Sequence, residues 1–304
     1  MVELSKKKIQ EIFDAHSLGL VKISKLLEEG LSNPVYLIND EVILRIRKDS
    51  NKFKFEKEKF LFGLLKEKTD LPVPTVIDLD TSDKIIPYDY ILLEKLPGEL
   101  LKKLFPKLSE NKKKKLAYDL GLSLAKIHSI HFKTVGHFVP NKLIKDISWT
   151  KFIWDTYTSS LKKFKKGKFL NEKWIQKIEF FIEENKDLLS VKFKPCLFHS
   201  DFNGGNILIQ NGEISGIFDM EWSLSGHNEY ELSTMRLKLD VISPYESYFF
   251  KGYESKIKRI KNHELFGSFY GVIYWMMIVC WIYDEKAKIS PKRYTGEIKK
   301  LLGS

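Results

Sequence analysis

Two cysteines in 304 residues, Cys196 and Cys280, are too few for a disulfide framework. Both stand among apolar neighbours, so buried small hydrophobes are the expectation rather than a metal pair. Ten prolines and 17 glycines fall short of a disordered or fibrous composition. The N-terminal stretch Met-Val-Glu-Leu-Ser-Lys-Lys-Lys lacks the apolar core of a secretory leader, which makes a reducing cytoplasm the expected compartment. Zinc-finger spacing and an aromatic RNA-binding signature are missing as well. There is no internal repeat and no low-complexity segment.

What is present is a chain long enough for two lobes, 43% hydrophobic and 30% charged, as in an ordinary globular protein. The formal net charge is +11, from 51 basic and 40 acidic residues, and such a balance raises the question of a nucleic-acid partner. The densest lysine runs, at 6–8, 112–115 and 162–168, lie in separate amphipathic or loop-like segments, so solvated helix faces are the expectation and no nucleic acid is invoked. One segment, Leu265 to Tyr283, carries no charge and is long enough for a bilayer. Its glycines, serine and many tyrosines and tryptophans point instead to a buried helix of a large helical lobe, with no membrane span.

Periodicity places an amphipathic helix over 5–18, then short β-type runs at 21–26, 34–38 and 42–47. Gly30 to Pro34 and Asn39-Asp40 supply the turns, and the pattern is that of an antiparallel meander. A helix follows over 53–68, then a strand pair near 75–79 and 88–93. Leu96-Pro97-Gly98 breaks the pattern and marks the boundary between an N-terminal lobe, 1–96, and a C-terminal lobe, 97–304. Beyond it helices dominate, at 112–129, 147–165 and 171–189. An island of strands interrupts them at 196–198, 207–210 and 214–218, with Asn211-Gly212 as a tight turn.

The chemistry-bearing segment is His199-Ser200-Asp201-Phe202-Asn203-Gly204-Gly205-Asn206, followed after the hairpin by Asp219-Met220-Glu221. This His-x-Asp-x4-Asn pattern with an Asp at a strand end is the layout of a kinase catalytic loop and its metal-binding segment. Phosphoryl transfer asks a protein for a positioned hydroxyl and a divalent cation bridging phosphate oxygens. Asp201 can orient the hydroxyl and take its proton. Asn206 and Asp219 offer oxygens suited to Mg2+. His199 completes the candidate catalytic pair by holding the loop through hydrogen bonds rather than by touching the phosphate.

On these residues the chain resembles the aminoglycoside phosphotransferase group, whose relatives include choline, homoserine, methylthioribose and fructosamine kinases. The resemblance extends over Gly216 to Trp222, over Gly226-His227-Asn228-Glu229-Tyr230-Glu231-Leu232, and over Leu124-Ala125-Lys126-Ile127-His128. It implies an α+β, bilobal protein-kinase-like fold: a small antiparallel β N-lobe over a larger, mainly helical C-lobe, with ATP or GTP in the cleft.

In the N-lobe a kinase needs a basic side chain on the third strand and a helix glutamate to orient it. Arg45 aligns with the usual lysine, with Arg47 and Lys48 as alternatives. Glu58 is the partner, with Glu56 as runner-up. The loop Gly30-Leu31-Ser32-Asn33-Pro34 has one glycine instead of Gly-x-Gly-x-x-Gly; Ser32 and Asn33 could present donors to phosphate oxygens. Glu94-Lys95-Leu96 resembles the hinge, which implies that backbone groups of this stretch, at Glu94 and Leu96, pair with the base.

The expected activity is transfer of the γ-phosphate of a nucleoside triphosphate to a hydroxyl of a small molecule. An aminoglycoside or related antibiotic is the leading acceptor, which would make the protein an antibiotic-resistance kinase. A polycationic acceptor calls for carboxylates facing Asp201, and Glu221, Glu229 and Glu231 are the candidates, with Glu246, Asp284 and Glu285 beyond them. For Glu231 the preferred reading is structural, bracing the catalytic loop. Two other readings stand beside this one: a metabolic kinase for choline, homoserine or a sugar derivative, and a non-catalytic nucleotide-binding protein with the same fold.

Overall fold

The computed structural model describes residues 4–27, 34–47, 53–139, 144–285 and 289–303. Helix α1 (Lys6–Ala15) starts at Ser5, whose hydroxyl accepts the Lys8 N–H and satisfies one of the first-turn donors. Its apolar side, Ile9, Ile12 and Phe13, is buried on one face of a five-stranded antiparallel sheet. The strands are β1 (Ser24–Leu27), β2 (Val35–Ile38), β3 (Val42–Arg47), β4 (Val76–Asp80) and β5 (Asp89–Glu94), in the order β1-β2-β3-β5-β4. Asn39 and Asp40 both adopt positive φ, 53° and 58°, the tight hairpin geometry that suits strand twist.

The order departs from a simple meander because β5 lies inside β4. Residues Asp89 to Leu93 are all buried, which fits a central strand, whereas β4 carries Asp78 and Asp80 and forms the edge. Alternation along β3 divides its side chains. Val42, Leu44 and Ile46 join the core under α1, while Ile43 packs with the core that helix α2 (Lys54–Lys68) enters.

The C-lobe continues with β6 (Glu99–Leu100), α3 (Leu101–Leu104) and a 3-10 turn at Phe105–Lys107. The long α4 (Glu110–His128), β7 (Gly136–Phe138), β8 (Ile144–Asp146), α5 (Trp149–Gly167) and α6 (Glu172–Glu184) follow. Then come β9 (Cys196–Leu197), the hairpin β10 (Ile207–Gln210) and β11 (Glu213–Ile217), and β12 (Leu224–Gly226). The chain ends in α7 (Asn228–Leu232), α8 (Met235–Lys238), α9 (Glu246–Glu254), α10 (His263–Asp284) and α11 (Lys292–Leu301). Two small sheets here have members that periodicity missed. β6 adds to the β10–β11 hairpin, and β7, β8 and β12 join β9 in the order β8-β7-β12-β9. Strands of two or three residues are too short to carry a period.

Helices α4 and α9 cross in close contact at two glycines. A Cβ on Gly121 would lie 1.8 Å from the Phe249 carbonyl oxygen, and one on Gly252 would lie 1.9 Å from that of Tyr118. Helix α10 is the one helix among the described residues long and apolar enough to span a bilayer, and 61% of its most apolar window is buried inside the protein. It packs on α5, α7 and α11, and its Phe269, Tyr270, Val272, Met276 and Val279 are core residues.

Candidate active site

The catalytic segment is a loop between β9 and β10 whose shape is set by one buried carboxylate. Glu231, at 2% exposure on α7, accepts the His199 N–H at 3.1 Å and the Ser200 N–H at 2.6 Å. His128, at the end of α4, lies 2.9 Å from the same carboxylate through Nε2, while its Nδ1 is 2.9 Å from the Tyr253 hydroxyl. Burial opposes the Glu231 charge, but the hydrogen bond and charge of His128 together with Lys238 and His199 outweigh it and hold the carboxyl below the usual glutamate value. Ser200 takes a left-handed φ of 66°, an uncommon conformation for a residue with a Cβ. Its N–H is fixed by Glu231 and its carbonyl accepts a hydrogen bond from the Lys238 ammonium, so both sides of the strained residue are tied down.

His199 is fully buried, and both ring nitrogens are occupied. Nε2 lies 3.0 Å from the Phe218 carbonyl and donates to it, and Nδ1 accepts the Asp201 N–H at 3.3 Å. Burial lowers its pKa, Glu231 and Asp201 opposing, which agrees with a neutral ring of that tautomer. Its role is to tie Asp201 to the residue before Asp219, and its ring has no surface to offer a phosphate.

Asp201, Asn206 and Asp219 come together from the loop and the hairpin. Asn206 Nδ2 donates to Asp201 Oδ2 at 2.7 Å and to the Asp201 carbonyl at 3.0 Å. Spending the amide nitrogen on Asp201 leaves the Asn206 oxygen as the atom available to a cation. The Phe218 N–H donates to the Asn206 carbonyl at 3.1 Å, which brings the loop up to the start of the metal-binding segment. Asp219, at φ 68°, has a buried Oδ1 with no hydrogen-bond partner; Arg45 Nη2 lies 3.6 Å from it. A buried carboxylate oxygen without a donor, on a segment hydrogen-bonded through Phe218 to Asn206, fits a hard divalent cation. No cluster of three His, Cys, Asp or Glu side chains able to hold a metal occurs among the described residues, so a cation here would draw most of its shell from phosphate oxygens and water.

Arg45 reaches the site from β3. Its Nη1 lies 2.9 Å from both oxygens of Glu58, a fully buried residue of α2. Burial opposes the Arg45 charge, but Glu58 and Asp219 outweigh it and push its pKa up. On Glu58 burial raises the pKa and Arg45 works against it; with the guanidinium charged, the contact is an ion pair. Glu58 Oε1 also accepts the Met220 N–H at 3.1 Å, which couples the N-lobe helix to the segment carrying Asp219.

Arg47 occupies a different place. It is 2% exposed and pairs with Glu221 at 3.3 Å, and Lys54 approaches the same carboxylate at 3.9 Å. Arg45 and Arg47 both stand 5.5 Å from the Phe55 ring, which spaces the two cations. Glu221, a candidate for the acceptor, therefore joins the two lobes. Glu229 is equally unavailable: it is fully buried and bound by Arg259 at 2.8 Å. With Glu231 holding the catalytic loop, each of the three carboxylates assigned to the acceptor has a partner within the protein. Asp284 pairs with Lys163 at the end of α10. Glu56 has no part in the Arg45 contact.

At the hinge the Glu94 N–H donates to the Thr75 carbonyl at 2.9 Å and the Lys95 N–H to that of Glu41 at 2.8 Å. The Glu94 carboxylate accepts the Thr75 hydroxyl at 2.5 Å. Leu96 packs over Gly216, where a Cβ would lie 2.9 Å from its methyl group. Ser32, Asn33 and Lys48 lie outside the described residues. A cavity of about 430 Å3 lined by His128, Lys194, Cys196, His227 and Lys256 shares only His128 with the residues assembled above.

Sequence reasoning did not single out Lys238, Arg259 or Tyr253, and no periodicity or motif marks them.

Comparison with known proteins agrees with this geometry. A solved structure of a GDP and kanamycin complex of APH(2'')-IIIa superposes with a TM-score of 0.71 at 13% identity, over 98% of this chain and 97% of that one. Aminoglycoside phosphotransferase APH(4)-Ia gives 0.69 at 16%, over 99% and 100%. ADP-bound aminoglycoside phosphotransferase APH(2'')-Ib gives 0.66 at 17%, over 99% and 97%. These likenesses establish the protein-kinase-like fold. The acyl-CoA dehydrogenase family member 10 of Mus musculus is 24% identical over 237 residues, 72% of this chain but 20% of the mouse protein's length. A profile of the phosphotransferase enzyme family, APH, matches residues 24–244, and the chain belongs to that family.

Proposed function

We propose that the protein transfers the γ-phosphate of a nucleoside triphosphate to a hydroxyl group of a small molecule. The single observation that carries this reading is the convergence of Asp201, Asn206 and Asp219 with the Arg45–Glu58 pair. Arg45, oriented by Glu58, is placed to hold donor phosphate oxygens. Asn206 and Asp219 would hold Mg2+, which when bound neutralises charge on the phosphates and fixes their geometry. Asp201 has Oδ2 engaged by Asn206, so Oδ1 is the oxygen for the acceptor hydroxyl. As the acceptor oxygen bonds to the γ-phosphorus, the bond from that phosphorus to the bridging oxygen breaks, the nucleoside diphosphate leaves, and the hydroxyl proton passes to Asp201. His199, Glu231 and His128 keep the loop in position throughout.

Neighbours carrying kanamycin or named for aminoglycosides support an aminoglycoside as acceptor, at identities that speak for the fold. The burial of Glu229 and Glu231 and the pairing of Glu221 with Arg47 favour the second reading, a metabolic hydroxyl compound. We place the protein in the cytoplasm, with Cys196 and Cys280 as buried free thiols that suit a reducing compartment. The test is Asp201→Ala in a coupled nucleotide-turnover assay. Turnover is expected to fall by roughly 10²–10⁴-fold with nucleotide affinity retained; unchanged turnover removes the assignment.

A further inference from the structure

Lys238 lies at the end of α8 and reaches the catalytic loop from the C-lobe. Its ammonium donates to the carbonyl of Ser200, the residue before Asp201, and stands 4.8 Å from the centre of the Tyr274 ring of α10. A lysine has three N–H donors. One is taken by Ser200 and a second is engaged by the Tyr274 side chain, which leaves one N–H next to Asp201. The Ser200 hydroxyl beside it has no hydrogen-bond partner. The carboxylates that a polycation would need are used elsewhere: Glu231 by the loop, Glu229 by Arg259, Glu221 by Arg47. Lys238 is thus a cation beside Asp201 that these three carboxylates do not neutralise by direct pairing, and the chain as a whole, at +11, attracts anions rather than cations.

We propose that Lys238 is a specificity-determining residue, taking a carboxylate or phosphate group of the acceptor and excluding polycations, so that the substrate is an anionic hydroxyl compound. This rests on the phosphotransferase reading above. The anion is the shared chemistry of hydroxy acids and sugar phosphates, and the assay separates the two. A lysine on the acceptor side of the loop acts on the acceptor's affinity, whereas one on the transferred phosphoryl would act on every turnover alike.

The experiment uses the full chain with Mg2+ and nucleoside triphosphate. Turnover is followed with no acceptor, with hydroxy acids, with sugar phosphates and with aminoglycosides, for the native protein, Lys238→Met and Lys238→Arg. Thermal melts establish that each variant is folded. The expected result is turnover of one anionic class above the rate with water alone, and none with aminoglycosides. Lys238→Met should raise KM for that class about tenfold or more, the usual loss for a hydrogen bond to a charged group, while acceptor-free hydrolysis, which feels only the lost Ser200 contact, should fall less than kcat/KM for that class. Lys238→Arg should restore much of the affinity. The inference is overturned by an aminoglycoside as the efficient acceptor, by an unchanged KM in Lys238→Met, by equal loss of acceptor-free hydrolysis, or by no anionic compound either turning over or raising the melting temperature. Nucleotide hydrolysis that is absent, or that survives Asp201→Ala, removes the phosphotransferase reading itself, a distinguishable failure.

Discussion

Replacing Glu231 by Gln changes the protein by one atom at the point where the catalytic loop is held. The carboxylate receives the His199 N–H, the Ser200 N–H and the His128 Nε2–H, at 3.1, 2.6 and 2.9 Å. A glutamine has one acceptor oxygen. If that oxygen keeps His199 and His128, the new amide NH2 faces the Ser200 N–H, donor against donor. A hydrogen bond to a charged group contributes about 1.5–3 kcal/mol, and breaking a buried charged contact costs about 3–5 kcal/mol. A loss near 3 kcal/mol is therefore expected, concentrated at Ser200, whose left-handed backbone it would free to relax. The assays are the urea midpoint, amide hydrogen exchange at His199 and Ser200, and turnover. The midpoint should fall, both amides should lose protection, and kcat should drop for every acceptor and for water with acceptor KM unchanged. If stability stays within about 0.5 kcal/mol, the ordinary range of a neutral surface change, while KM for an acceptor rises selectively, Glu231 faces the substrate and the bracing role is wrong.

The helix crossing gives a second test. Gly121→Ala or Gly252→Ala should each destabilise by about 2 kcal/mol because backbone carbonyls 1.8 and 1.9 Å away cannot retreat without separating α4 from α9. The same change at Gly63 of α2, which has open space around it, should instead stabilise by about 0.5–1 kcal/mol in urea titrations through helix propensity alone. Acid sensitivity is the third. Burial depresses the pKa of His199 and lowers that of His227 to about 4, so the unfolded chain binds protons that the folded one refuses between the ordinary histidine value of 6.5 and the folded value. The stability these rings contribute is complete above pH 6.5 and falls as pH drops toward 4, by up to about 3 kcal/mol for His227. A flat urea midpoint across that window would mean that His227 is solvated.

Local patterns alone determined much of this protein. Asn39-Asp40 and Asn211-Gly212 are turns because their residues tolerate positive φ, and His-x-Asp-x4-Asn with a later Asp is a spacing that chance rarely produces. These are effects within a few residues, so a linear reading can see them. The tertiary structure decided what long-range packing controls. β5 took an interior place in its sheet because both its faces are buried, and strands of two or three residues formed only where neighbouring segments offered partners. The fate of each charge was decided in the same way. The sequence shows Glu221, Glu229 and Glu231 without their partners, yet Arg47, Arg259, His128 and the loop amides, 30 to 174 residues away, capture them. A carboxylate's role depends on which cation shares its low-dielectric surroundings, and the chain shows that only after it has folded.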